Sequence, residues 1–251
     1  ERLYELVPRL VEGCVGALYN PDDGSARPFH AATAFRHKAI ALGGEIRSGV
    51  EVLGIEEGSD GWRVETSQGS FTAAKLVNCA GAWANRFADM LGEPVPLKPQ
   101  APTLMVTERL PHFLDLTVGA EGYQLSFKQM QNGTVIIGGA HLARLNFERE
   151  ESIIDFATLK TSAQTVTRFF PHMAKVRIVR AWAGIEGFMP DGIPVIGKSS
   201  KAEGIFHAFG FSAHGFQLSP VVGRIMSELI LDGKTDLPIE PFSIQRFHES
   251  E

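Results

Sequence analysis

The sequence is poor in the residues that build disulfide, metal or nucleic-acid chemistry. Of 251 residues only Cys14 and Cys79 are cysteines. They lie far apart and form no Cys-x-x-Cys pair, which argues against a disulfide scaffold, a zinc ligand set or a redox dithiol. No metal site is expected. The formal net charge is −5, and the lysines and arginines are scattered, so no basic patch reads as a nucleic-acid surface. No apolar run reaches bilayer-spanning length. Internal repeats and low-complexity tracts are absent. So is a Gly-x-Ser-x-Gly nucleophile elbow, which removes a hydrolytic reading of Ser212, His214 and Asp191. No signal peptide is expected at the start, since the first residues are charged and amphipathic, and a cytoplasmic setting is the default expectation. Glu1 is not a methionine, and Leu3, Leu6, Val7 and Leu10 already form an apolar helical stripe, as in the middle of a domain. Residues upstream are therefore expected.

What is present suffices for a full core: 44% of residues are hydrophobic, enough for one large domain or two interleaved smaller ones. Asn20-Pro21-Asp22-Asp23-Gly24 is a turn. Residues 28–42 read as a helix with Phe29, Ala32, Phe35, Ala39 and Ile40 on one face, ended by Gly43-Gly44. Glu45-Ile46 enters a strand. Residues 50–56, 62–66 and 69–72 are short strands turning at Asp60-Gly61 and Gln68-Gly69. Residues 75–78 begin a buried strand that runs into Cys79-Ala80-Gly81-Ala82-Trp83 and an amphipathic helix bearing Phe87, Met90 and Leu91. Such a strand, small-residue turn and helix start form an anion cradle: the backbone approaches closely and the helix N-terminus is electropositive.

From Pro94 the pattern changes to antiparallel sheet, read as a second domain. Prolines cluster at 94, 96, 99 and 102. Strands follow at 104–107, 123–128 and 134–139, the last two joined through Asn132-Gly133. Residues 152–170 form a long amphipathic helix with Ser152 and Asp155 as a capping pair and Pro171 as its stop. Strands recur at 177–182, 193–197 and 205–210. A final helix takes Ser219 as N-cap and Pro220 as its first residue, runs to Leu231 and ends before Gly233.

The stretch Phe209-Gly210-Phe211-Ser212-Ala213-His214-Gly215-Phe216-Gln217-Leu218-Ser219-Pro220 carries the most chemistry. A strand ends, small and polar residues follow, and a helix opens. A flavin ring suits the place, since reduction puts negative charge on its N1–O2 side and a helix N-terminus stabilises that charge by about 0.3–2 kcal/mol. The bland alternative is that Gly210 and Gly215 merely allow a tight turn. Together with Leu76-Val77-Asn78-Cys79-Ala80-Gly81-Ala82-Trp83 and Trp182-Ala183-Gly184-Ile185-Glu186-Gly187-Phe188-Met189-Pro190-Asp191-Gly192-Ile193-Pro194-Val195-Ile196-Gly197, the stretch resembles the D-amino-acid oxidase-like FAD family, the group of glycine oxidase and sarcosine oxidase. Order and spacing match over nearly the whole chain. Gly184-Ile185-Glu186-Gly187 is most similar to subunits of the opine oxidase, hydroxyproline dehydrogenase and hydrogen cyanide synthase type.

The resemblance implies an α/β (α+β) fold: an FAD/NAD(P)-binding-like domain of the hydroxybenzoate-hydroxylase type, truncated at its N-terminus, with an antiparallel-sheet substrate domain. The FAD-binding domain is expected at 1–92 and 181–251 and the substrate domain at 93–180, with some residues near 18–29 joining the latter. Val52 lies on the strand that meets the adenine. Cys79, Ala80, Gly81 and Trp83 line the dinucleotide. Gly210, Phe211, His214, Gly215, Phe216 and Gln217 surround the isoalloxazine and ribityl chain, and Gly184 and Ile185 border flavin and substrate. No cysteine stands where sarcosine oxidases attach flavin, so the FAD is expected to be noncovalent.

Three departures stand out. The Gly-x-Gly-x-x-Gly fingerprint is absent, and without it the pyrophosphate lacks its main helix N-terminus. Glu186 stands where glycine oxidase-like members carry an arginine. Ser126, with Tyr123 nearby, stands where they carry an active-site tyrosine. The candidate catalytic residues are His214 and Glu186. His214 reads as a flavin or substrate contact, or else as a turn histidine; Glu186 reads as a recogniser of a cationic group, or else as a solvated carboxylate. Arg180 reads as a carboxylate binder or an exposed partner for an acid. His141 reads as a surface-loop residue, and Cys79 as a small buried one.

The implied chemistry is oxidation of an amine or amino-acid C–N bond by hydride transfer to flavin N5. Positioning does most of the catalysis, and electrons pass to oxygen or to a partner subunit carrying further redox cofactors. The rival reading is a truncated, non-catalytic fragment or structural subunit that does not retain FAD. A tRNA-modifying or hydroxylating FAD enzyme would show a basic face or a nicotinamide site, and neither is visible.

Overall fold

The computed structural model describes residues 1–248. In chain order come α1 (Arg2–Leu6), α2 (Pro28–Ala41), β1 (Val52–Gly58), β2 (Gly61–Thr66), β3 (Gly69–Ala73), β4 (Leu76–Asn78) and α3 (Ala84–Met90). Next are β5 (Lys98–Gln100), β6 (Thr103–Thr107), β7 (Thr117–Ala120), β8 (Tyr123–Gln129) and β9 (Val135–Gly138). Then follow β10 (Arg144–Asn146), β11 (Glu151–Ile153), α4 (Phe156–Phe169), β12 (Ile178–Ala183), β13 (Glu186–Phe188), β14 (Val195–Lys198), β15 (Ile205–Phe209) and α5 (Gly215–Leu231). The chain divides into two compact units, Glu1–Ala26 with Gln100–Ile185, and Arg27–Pro99 with Glu186–Glu251.

The first unit is built on an antiparallel sheet in the order β12-β6-β9-β8-β7. Period-2 alternation sends Met105, Leu125, Phe127, Val135 and Ile137 to one face, where they meet Val166 of α4 and Phe170. The Phe127 and Phe170 rings stack with centroids 4.2 Å apart. Leu3, Leu6, Val7 and Leu10 pack on this same core. Their stripe, grouped from sequence with residues 27–92, therefore belongs with 100–185. The α4 helix starts later than its periodicity predicted. Asp155 is the N-cap, accepting from the Ala157 N–H at 2.8 Å. Ser152 lies instead in β11, and its hydroxyl donates to the Ala183 carbonyl.

In the second unit β15 runs antiparallel to β14 and parallel to β4. Ile196, Phe206 and Ala208 face Val222, Ile225, Met226 and Leu229 of α5. The opposite side meets Ala84, Val95, Leu97 and Met189. The β1-β2-β3 strands form a meander beside this core; Glu45-Ile46 is not a strand. The α2 helix forms where expected, but none of its residues is buried, and Phe29 is 87% exposed. Its predicted apolar face therefore covers no core.

The α5 helix begins earlier than predicted, at Gly215, with His214 as N-cap and Pro220 inside it. A proline there removes the N–H that would bond the Phe216 carbonyl. The Ser219 hydroxyl donates to that carbonyl at 2.9 Å. Serine and proline thus act as a pair inside the helix rather than as its start.

Candidate functional site

Two parallel strands, β4 and β15, each end in a turn that opens a helix, the arrangement at whose strand carboxyl ends α/β folds bind ligands. The first turn is Cys79-Ala80-Gly81, exposed, with Gly81 at φ +56° and a 3₁₀ turn over Gly81–Trp83 leading to α3. A side chain at Gly81 would meet no atom within 4 Å, so the backbone there is open to close approach. The second turn runs from Gly210, at φ +73°, through Ser212 at +49° and Ala213 at +71°. Left-handed backbone at a non-glycine residue costs about 1–2 kcal/mol, so the surroundings must hold it. Ser212 donates its N–H to the Gly187 carbonyl at 3.2 Å, and its hydroxyl accepts from the Met189 N–H at 3.0 Å. Gly187 also abuts the first turn: a Cβ on it would lie 3.1 Å from the Gly81 carbonyl and 3.3 Å from the Ala82 Cα. A single residue of β13 therefore spaces both turns.

No side chain caps the N-terminus of α5, and its first turn points the positive end of the helix dipole outward. His214, Phe216 and Gln217 are exposed there, Gly215 and Phe211 half-buried, and the Gln217 amide donates to His214 Nδ1 at 3.4 Å. Cys79 is exposed rather than a small buried residue, yet crowding by neighbouring chain pushes its thiol up. Glu186, at the start of β13, is solvent-accessible, yet crowding by neighbouring chain pushes its carboxyl up. Val52 lines an open groove with Val64, Phe71 and Leu76, the residue that starts β4. Trp83 is half-buried on the 3₁₀ turn.

The second unit thus brings together Cys79, Ala80, Gly81, Trp83, Glu186, Gly210, Phe211, His214, Gly215, Phe216 and Gln217, with Val52 near the base of β4. Gly184 and Ile185 belong to the first unit, where the Gly184 N–H bonds the Pro102 carbonyl. In that unit Ser126 pairs with Gly138 and points to the outer face of β8, while Tyr123 faces the other way. Its ring meets Phe169 edge-on at 5.0 Å with Arg168 over it. Arg180 lies over the Trp182 ring at 5.6 Å. His141 is not a surface residue: it is buried, and its Nε2 bonds the Gln124 carbonyl at 3.0 Å. Asn78, Gly187 and Ser212 shape the site; the first two were not singled out from sequence, and Ser212 was weighed only as a hydrolytic nucleophile. An asparagine directly before a small-residue turn was the one readable signal. Among the described residues no cluster of three or more His, Cys, Asp or Glu could hold a metal, and no helix is long and apolar enough to cross a membrane.

Residues 1–229 match the DAO family, FAD dependent oxidoreductase. The chain belongs to this family. The hydrogen cyanide synthase subunit HcnC of Pseudomonas aeruginosa is 29% identical over 251 residues, covering 98% of this chain and 58% of that protein. Among solved structures, L-proline dehydrogenase from P. horikoshii superposes with a TM-score of 0.92 at 30% identity, over 100% of this chain and 68% of that one. Glycine oxidase from Geobacillus kaustophilus gives a TM-score of 0.89 at 26% identity, over 97% and 65%. The mixed α/β fold with antiparallel sheets is thus that of the DAO family. The chain spans 28% to 63% of the curated relatives' own lengths. FAD, the family's cofactor, fits the residues present: the first turn carries small side chains on open backbone, the second exposes Ala213 and His214 at the uncapped start of α5, and both lead into helix N-termini.

Proposed function

We propose that the protein oxidises a C–N bond of a small amine or amino acid using noncovalent FAD. The observation that carries this reading is the pair of turns at the ends of β4 and β15, spaced by Gly187, in a chain of the DAO family. Bound FAD would accept a hydride at N5. Cys79, Ala80, Gly81 and Trp83 would line the dinucleotide, with Val52 toward the adenine. Gly210, Phe211, His214, Gly215, Phe216 and Gln217 would surround the ring and ribityl chain, and Gly184 and Ile185 would border the substrate. The uncapped start of α5 favours negative charge placed before it by about 0.3–2 kcal/mol, which is this chain's electrostatic contribution to reduction. His214 offers a hydrogen bond and Phe216, 48% exposed, an apolar wall. Glu186 replaces the arginine of glycine oxidase-like members, so the substrate group it meets is cationic or a neutral donor rather than a free carboxylate.

Since HcnC is named as a subunit, we extend the proposal to a partner subunit that takes the electrons, in a cytoplasmic setting. A visible absorption spectrum before and after adding FAD tests this reading. Flavin bands that stay through desalting are expected; a protein that stays colourless after FAD is added sinks the enzyme reading. Turnover with glycine, sarcosine, proline and opines then identifies the substrate class.

A further inference from the structure

Behind the first turn lies a buried polar chain that binding and catalysis as described do not use. Glu93 and His207 are both 0% exposed. The Glu93 carboxylate accepts from the Ser199 hydroxyl (2.5 Å), the Ser200 N–H (2.6 Å), the Ser200 hydroxyl (2.7 Å) and His207 Nε2 (3.2 Å). Burial alone would push this carboxyl up, but the bonds from Ser199, Ser200 and His207 outweigh it and hold it below the usual range. Burial also lowers His207, and Glu93 opposes this only in part. A neutral imidazole beside an ionised carboxylate donates through Nε2–H and leaves Nδ1 as an acceptor. Nδ1 lies 3.5 Å from Asn78 Nδ2, a group that can only donate. The same Nδ2 donates to the Ala84 carbonyl at 3.0 Å, and Asn78 Oδ1 accepts from the Ala80 N–H at 3.2 Å. The Asn78 carboxamide therefore ties both ends of the Cys79-Ala80-Gly81 turn. A flipped carboxamide would set its NH₂ against the Ala80 N–H, donor against donor.

We propose that Glu93, His207 and Asn78 are positioning residues for the dinucleotide turn: Glu93 fixes the tautomer of His207, His207 fixes which way the Asn78 amide points, and Asn78 holds the Ala80 N–H and Ala84 carbonyl so that the backbone of the turn faces outward. The link to FAD rests on the proposed function; the link to turn geometry does not. The test uses the full chain. A long-range ¹H–¹⁵N spectrum of the wild type near neutral pH shows His207 protonated at Nε2 and bare at Nδ1. His207→Phe speeds exchange of the Ala80 amide and weakens FAD retention, each about tenfold, equivalent to roughly 1.4 kcal/mol, within the range of one hydrogen bond. His207→Gln, which offers a donor and an acceptor at similar reach, restores both. Ile225→Ala, a destabilising change in the α5 core on the other face of the sheet, leaves local Ala80 exchange as in the wild type. A His207 protonated at Nδ1 overturns the proposal. So does a folded His207→Phe with unchanged Ala80 exchange, or an Ile225→Ala that moves that exchange equally. If His207→Phe does not fold, the wild-type tautomer decides. A wild type that binds no FAD removes the functional reading, and the tautomer and exchange results still decide the relay.

Discussion

Ala213 is held at φ +71° with no polar side chain to anchor it, while Ser212 beside it, at +49°, is anchored by its N–H on the Gly187 carbonyl and by its hydroxyl, which accepts from the Met189 N–H and donates to the Gly210 carbonyl. The two residues therefore respond to substitution with opposite sign. Ala213→Gly removes left-handed strain of about 1–2 kcal/mol and adds about 0.5–1 kcal/mol of unfolded-chain entropy, so a net gain of up to about 1.5 kcal/mol is expected. Ser212→Ala keeps the strain and strips the Met189 N–H of its acceptor, a loss of about 1–3 kcal/mol. Thermal melts of both variants check this; a stabilising Ser212→Ala or a destabilising Ala213→Gly would show that the turn is not under tension. Strain at such a junction is a common mark of a ligand site. It was not legible in the sequence, because nothing in Phe-Ser-Ala-His announces positive φ.

Helix and strand existence was legible where periodicity and turn chemistry agreed. The β1–β3 meander, the Asn132-Gly133 hairpin and α4 all carry period and punctuation together. Boundaries failed where a local signal had two uses. Ser219-Pro220 has the chemistry of a helix start, yet the serine hydroxyl serves the carbonyl that the proline abandons, so the pair sits inside α5. Ser219→Ala should leave the Phe216 carbonyl, in the first turn of the helix, without that donor. A loss of about 1 kcal/mol is expected in chemical denaturation, and no loss would mean that water serves the carbonyl equally well. The α2 helix failed differently: its apolar residues follow helical spacing, but burial depends on a neighbour that spacing does not supply. The strand–turn–helix junctions were readable because small residues between an apolar run and a helix have few other uses. Gly187 and the Glu93–His207–Asn78 chain were not, because each acts across elements distant in sequence.

Across the whole molecule, protonation ties stability to pH in a definite direction. His207 sits below its ordinary value of 6.5, so the unfolded chain takes up protons first and stability falls as pH drops below about 6.5. His172, lowered by burial and by Arg9 nearby, adds to this. Glu93 contributes stability that is full above about 4.5 and is lost as pH falls through its depressed native value. Glu186, raised by crowding of neighbouring chain, works the other way: its share is full below about 4.5 and is lost as pH rises. Melting temperature should therefore fall between neutral pH and about pH 5, and His207→Gln should lose part of that slope while His172 retains the rest. An unchanged slope in the variant would show that His207 is not among the groups responsible. The placement of Gly187 has a consequence for how the sequence can change. Because one glycine touches the Gly81 carbonyl and bonds the Ser212 amide, the two turns share a clearance and cannot drift independently. Substitutions in one should be epistatic with substitutions in the other, so that these distant segments are inherited as a single unit.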